Sequence, residues 1–169
     1  MKDAWEQEYV EYVTARLPAL RRLACLLCGD EHRADDIVQD AITKLYVHWD
    51  KARAATNLDA YARTILVRTF VDEKRLAWSR VRLFASAPDR PNTADMGVDD
   101  RTAVRAALSG LPARQQAVLV LRFLYDLRVA EVSEILGCSE GTVKSQTHHG
   151  LATLRQVLGD RSNALAWTE

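Results

Sequence analysis

No run of about 18 or more apolar residues occurs in this sequence, so it predicts no transmembrane helix. The first residues, MKDAWEQEYVEYV, are acidic and amphipathic and lack the basic-then-apolar order of a secretory signal. The two absences lead to the expectation of a cytoplasmic protein. Alternation of apolar and polar residues over strand length is missing too, which points away from β-structure. No Gly-rich phosphate loop is present. No nucleophile–base–acid set stands out either, and the adjacent Asp35 and Asp36 read as an ordinary helix start. The chain is therefore expected to be neither an enzyme nor a cofactor carrier. Cysteine is scarce: Cys25, Cys28 and Cys138, an odd number. Cys25 and Cys28, with His32 nearby, have the spacing of a metal or redox pair. No second ligand pair follows, and both lie in an apolar helical run. Buried thiols acting as small hydrophobes are the better reading, and no metal site is assigned.

Net charge is also missing, with 23 Lys+Arg against 23 Asp+Glu. Its distribution is uneven. Residues 1–50 hold six bases and ten acids, whereas residues 58–83 hold six bases and three acids. Lys74 to Arg82 contains four bases and no acid. An acidic front and a basic patch behind it suit one protein partner and one nucleic-acid partner. Weak bulk basicity argues against tight DNA binding by the chain alone, because phosphate neutralisation supplies most non-specific affinity.

The length, 169 residues, and a hydrophobic content of 48% allow one medium domain or two small ones. The periodicity is helical throughout. One helix is predicted over Ala4–Ala15, with Trp5, Tyr9 and Tyr12 or Val13 on a stripe. Pro18 opens a second, about Ala19–Leu27, that ends at Gly29 and Asp30. A third runs over Arg33–Trp49, with Ile37, Ala41 and Leu45 inward. A long fourth runs over Leu58–Phe84, capped by Asn57, with Leu58, Tyr61, Ala62, Ile65, Leu66 and Thr69 inward. Residues 85–100, ASAPDRPNTADMGVDD, have no stripe and read as a linker. A short helix from Asp100 to Leu108 follows. The fold class expected is all-α: two small helical domains, 1–84 and 101–160, joined by a flexible linker, 85–100.

The segment Ser109–Arg155 carries the most information. Ser109 is read as the cap of a helix whose first turn holds Pro112. Val118, Leu121 and Tyr125 form its stripe, with Leu119 and Phe123 beside it. A short helix, Val129–Leu136, buries Val132, Ile135 and Leu136. Gly137 stands where a helix ends at positive φ. Ser139 caps a further helix with Val143, Thr147, Leu151 and Leu154 inward and Lys144, Ser145, His148 and His149 outward. Two helices joined by a tight Gly-containing turn, the second with a polar face, match the geometry that enters a DNA major groove. A three-helix bundle with a solvated outer face has the same pattern.

LPARQQAVLVLRF, AEVSEILGCSEGTVKSQ and GLATLR, in that order, resemble the promoter-reading C-terminal domain of bacterial sigma factors, and within them the two-domain extracytoplasmic-function (ECF) class, actinobacterial SigE-like subfamily. ADDIVQDAITKLYVHW followed by LDAYARTILVRTFVDEKR resembles the sigma domain that grips core RNA polymerase and melts the −10 element. The resemblance covers nearly the whole chain in the family's order. It implies an alternative sigma factor that performs no covalent chemistry and melts DNA by capturing unpaired bases.

By that resemblance, Asp36, Gln39, Asp40 and Thr43, a polar face opposite Ile37, Ala41 and Leu45, bind the polymerase clamp helices. Acids suit a basic partner surface. Without the resemblance the same face reads as a solvated helix surface. Arg63, Arg68, Asp72, Lys74, Arg75 and Trp78 on the long helix become the −10 face, where bases hold phosphates and a melted strand is gripped. Arg68 stands where the family often has asparagine. Thr142, Lys144, Ser145, Gln146, His148 and His149 become the −35 face. The two histidines stand where arginine or an aromatic is more usual, and they imply a modest, pH-sensitive affinity. Adjacent helical residues point about 100° apart, so they do not chelate one ion together. The implied partners are core RNA polymerase, through clamp helices and flap, promoter DNA and, in some members, an anti-sigma factor. Two rivals stand beside this reading. A free-standing dimeric regulator would need a dimer seam, which is not visible. A non-DNA adaptor leaves the Lys74–Arg82 stretch and the TVKSQ helix unexplained.

Overall fold

The computed structural model describes the main chain of residues 2–84 and 100–166, and the side chains of residues 4–77 and 103–159. Most of the expected linker and the end of the chain lie outside them, as do the side chains of Trp78, Arg80 and Arg82. Among the described residues the structure is helical, with no strand. Its elements are α1 (Lys2–Cys28), α2 (Glu31–Val47), α3 (Trp49–Ala54), α4 (Leu58–Phe84), α5 (Asp100–Ser109), α6 (Ala113–Leu119), a π-helical turn (Val120–Leu124), α7 (Val129–Leu136) and α8 (Glu140–Ala166). The chain forms two compact units, residues 1–70 and 71–169, that divide inside α4.

In the first unit, the expected break at Pro18 does not occur: α1 is one helix with Pro18 inside it. Proline in a helix interior removes one hydrogen bond and costs about 3 kcal/mol. The offset comes from the turns that follow, where Leu20, Leu23, Ala24 and Leu27 are buried. The helix ends at Gly29, which takes φ 70° and donates its N–H to the Cys25 carbonyl at 2.9 Å. Asp30 then caps α2, accepting from the N–H groups of His32 (2.8 Å) and Arg33 (3.3 Å). α2 thus starts two residues before the expected Arg33. Cys28 is buried and Cys25 half-buried; both thiols are free, as is that of Cys138.

α2 buries Ala34, Ile37, Val38, Ala41 and Leu45, a stripe of spacing three and four. It stops at Val47, and the residues after His48 form a separate short helix, α3, which buries Trp49 and Ala52. α4 adds Ala62, Leu66, Val67, Thr69 and Phe70 to the buried set. The Asn57 side chain caps α4 through the N–H of Ala60 at 2.9 Å. An aromatic cluster joins these helices: Tyr9 meets Tyr46 and Trp49 edge-on at 5.2 and 5.3 Å, and Tyr12 lies 5.6 Å from Trp49.

In the second unit, Leu108, Leu111 and Leu119 form a core on which Leu151 and Leu154 of α8 pack. Ser109 does not cap α6. It is the last residue of α5, its hydroxyl donates to the Ala106 carbonyl (2.9 Å), and Pro112 stands at the N-terminal boundary of α6. The expected stripe holds through Val118, Leu119 and Leu121 and then fails. Tyr125 N–H reaches back five residues to Val120 O at 3.2 Å, the mark of a π turn. The extra residue turns Phe123 and Leu124 outward, 56% and 54% exposed.

Candidate nucleic-acid and protein interfaces

The helix-turn-helix is assembled by local chemistry. Glu131 accepts the N–H of Arg128 at 2.7 Å, holding the start of α7. Gly137 ends α7 at φ 64°, ψ 39°. The N–H groups of Gly137 and Cys138 return to the carbonyls of Glu134 (3.4 Å) and Ser133 (3.1 Å), the paired bonds of a left-handed helix stop. Ser139 Oγ accepts the N–H of Thr142 at 3.1 Å, which starts α8 three residues after Gly137. Val132 and Val143 are fully buried between α7 and the start of α8.

This arrangement fixes which way the start of α8 faces. With Val143 inward, Lys144, Ser145, His148 and His149 are exposed, and Gln146 and Thr147 sit half-buried at the flank. The His148 and His149 rings meet edge-on at 5.7 Å. Thr142 differs from its neighbours: its hydroxyl lies 2.9 Å from Ser139 Oγ, so it belongs to the cap. The first two turns of α8 therefore present a polar, acid-poor surface.

On α2, Asp36, Gln39, Asp40 and Thr43 are all exposed, directly opposite the buried Ile37, Ala41 and Leu45. Asp40 pairs with Lys44 at 3.1 Å, and Lys44 also donates to Thr69 Oγ1 at 3.2 Å. The Thr43 hydroxyl donates to the Gln39 carbonyl at 2.8 Å. At the edge of this face, Arg21 Nε holds Asp35 at 2.7 Å. The hydrogen bond from Arg21 keeps the Asp35 carboxyl below its ordinary range. The face is solvent-exposed and rich in acceptors.

On α4, Arg68, Asp72 and Arg75 are exposed and fall within about 60° of arc at 100° per residue, while Arg63 lies about 140° from Arg68. Arg63 is half-buried. Lys74 is withdrawn from that face. Its ammonium donates to Leu111 O (2.7 Å), Gln116 Oε1 (2.9 Å) and Ser109 O (3.3 Å). No local pattern announces this contact, because its partners lie 35 to 42 residues away in the chain. The exposed Phe123–Leu124 pair was also not legible, since a helical stripe continued through it would put Phe123 inside.

Comparison with known proteins gives the family of the chain. The Sigma-70 region 2 model matches residues 12–80, and the Sigma-70 region 4 model matches residues 101–154. The chain belongs to the sigma-70 family. It falls within the ECF group, on the side of the actinobacterial SigE-like factors. It is 35% identical over 161 residues to the RNA polymerase sigma-E factor of Streptomyces avermitilis, covering 91% of this chain and 87% of that one. It is 31% identical to the ECF RNA polymerase sigma factor SigL of Mycobacterium tuberculosis, covering 82% of each. A solved structure of the sigma factor RpoE in complex with the anti-sigma factor NepR from Bartonella quintana matches 90% of this chain with a TM-score of 0.68 and 27% identity. The chain is thus an alternative sigma factor for promoter-specific transcription, a non-enzymatic initiation factor. Both regions in one chain, in order, decide against the free-standing regulator and the adaptor. No helix among the described residues is long and apolar enough to cross a membrane.

Proposed function

We propose that this protein acts in the cytoplasm, binding core RNA polymerase through the α2 face and through the flap-binding side of its C-terminal domain. Asp36, Gln39, Asp40 and Thr43 take the clamp helices. Arg63, Arg68, Asp72 and Arg75 of α4, with Trp78, take the −10 element. Lys144, Ser145, Gln146, His148 and His149 take the −35 element, and Thr142 sets the start of their helix. The functional domains are 1–84 and 101–160, with 85–100 spanning the two promoter elements. An anti-sigma factor is a further partner, in keeping with the complex known for the Bartonella relative.

The observation that carries this reading is the α2 face. Four polar residues stand exposed over a buried stripe, in the same chain as a helix-turn-helix whose reading face is also exposed. A regulator acting alone would have no use for the first. Run-off transcription with purified core polymerase on a pool of genomic promoter fragments tests it. Discrete transcripts that need this protein and vanish with Gln39→Ala or Asp40→Ala support the reading. Transcripts that persist undiminished with both variants would overturn the assignment of the α2 face to polymerase.

A further inference from the structure

Lys44 of α2 bridges the exposed α2 face and a buried hydroxyl of α4. Its ammonium lies 3.1 Å from Asp40 Oδ2 and donates to Thr69 Oγ1 at 3.2 Å. We propose that Lys44 is a positioning residue for polymerase binding, anchored on Thr69 so that it holds the Asp40 carboxylate in place for a basic partner surface. The proposal rests on the assignment of the α2 face to polymerase made above.

The anchor follows from the bonds of one buried oxygen. Thr69 is 2% exposed, and it and Gln116 are the buried polar residues among those described. A threonine hydroxyl has one proton and two lone pairs. The proton goes to the Ile65 carbonyl at 2.8 Å, within α4. A buried acceptor calls for a donor, and Lys44 supplies it. The bond spans 25 residues of sequence yet stays inside the first compact unit, residues 1–70.

Placement on the helix lets one ammonium serve both partners. At 100° per residue Lys44 lies about 40° from Asp40 and about 60° from the buried Ala41. It stands on the border between face and stripe, where its stem reaches inward to α4 while its charge stays beside the carboxylate. An exposed i, i+4 pair ordinarily contributes little, because two long side chains must give up motion to meet. Here the lysine is already tied to a fixed point on another helix, so Asp40 meets a partner that does not wander. The pair uses Oδ2. A carboxylate has about four acceptor sites, so it can take a second cation without losing the first. Ordering a side chain on association costs affinity, and at Asp40 that ordering precedes the encounter.

Equilibrium binding of the full-length protein to core RNA polymerase, without promoter DNA, tests the anchor, with thermal unfolding of each variant measured beside it. Thr69→Val removes the acceptor at nearly constant volume and lies too deep to touch a partner. It should weaken binding about two- to tenfold, the effect of ordering one side chain in advance. Lys44→Met keeps the stem and should weaken it by a similar factor. The double variant should lose no more than the stronger single one, since both break the same link. Thr69→Ser keeps the hydroxyl and should bind as the wild type does. Tighter binding by Lys44→Met would overturn the positioning, because the lysine would then only screen the acid. Losses that add in the double variant would overturn it too, as the mark of two independent packing defects. If the wild type itself does not bind core, the polymerase reading of α2 fails and the proposal with it. A wild type that binds, beside a Thr69→Val that binds equally well, refutes the anchor alone.

Discussion

Gly150 of α8 faces Leu119 of α6 so closely that a β-carbon at position 150 would lie 3.0 Å from Leu119 Cδ1 and 3.2 Å from its Cγ. Two helices of the promoter-reading unit thus meet at a residue without a side chain. Leu119 is itself buried in the core. Gly150→Ala should therefore destabilise, with overpacking of about 1–3 kcal/mol partly offset by about 1 kcal/mol of helix propensity. Gly159, on the same helix, has nothing within 4 Å of the same built atom. Gly159→Ala should stabilise by up to about 1 kcal/mol. Urea unfolding of the two variants must give shifts of opposite sign, and equal signs would refute the close approach at Gly150.

Tyr12 links α1 to the start of α4 by donating to Asp59 Oδ1 at 2.9 Å, and Arg16 pairs with the same carboxylate at 2.9 Å. Burial first, and then that hydrogen bond to Asp59, push the Tyr12 hydroxyl well above its ordinary value of 10.0. Tyr9 is raised in the same direction, mainly by burial. The folded state therefore favours the neutral phenol. That contribution is fully present below pH 10 and is lost as the pH rises through the folded-state values. Stability should hold to about pH 10 and fall beyond it. Tyr12→Phe should cost about 0.5–1.5 kcal/mol at neutral pH and make the alkaline fall shallower. Denaturant melts at several pH values, with phenolate absorbance as the titration signal, measure both. An unchanged alkaline slope in the variant would count against the assignment.

The reading face of α8 separates two kinds of contact. Lys144→Ala should weaken holoenzyme binding to every promoter about equally and lower the salt slope by about 1, as loss of a phosphate contact does. Replacing His148 and His149 by alanine should instead change the ranking of −35 sequences, by about 1–3 kcal/mol at the affected base pairs. Binding to a library of −35 duplexes at two salt concentrations distinguishes these outcomes. A uniform loss in the histidine variant would show phosphate contact rather than base reading.

The sequence by itself determined whatever depends on neighbours in the chain. Val129–Leu136 forms the helix expected, because Glu131 and Gly137 supply its start and stop within a few residues. Asn57 and Ser139 cap the helices they precede, through side-chain bonds spanning three residues. The α2 face was legible because spacing alone puts Asp36, Gln39, Asp40 and Thr43 opposite Ile37, Ala41 and Leu45. Tertiary structure decided the rest. Pro18 reads locally as a helix start, yet burial of the turns beyond it carries α1 straight through. The π turn that exposes Phe123 and Leu124 breaks a stripe that no neighbouring residue contradicts. Lys74 reads as one more base on a basic helix, and only folding brings it to Leu111 and Gln116. Caps and stripes are local, with partners a turn away. A carbonyl cradle about forty residues distant leaves no periodic trace and exists only once the helices have packed.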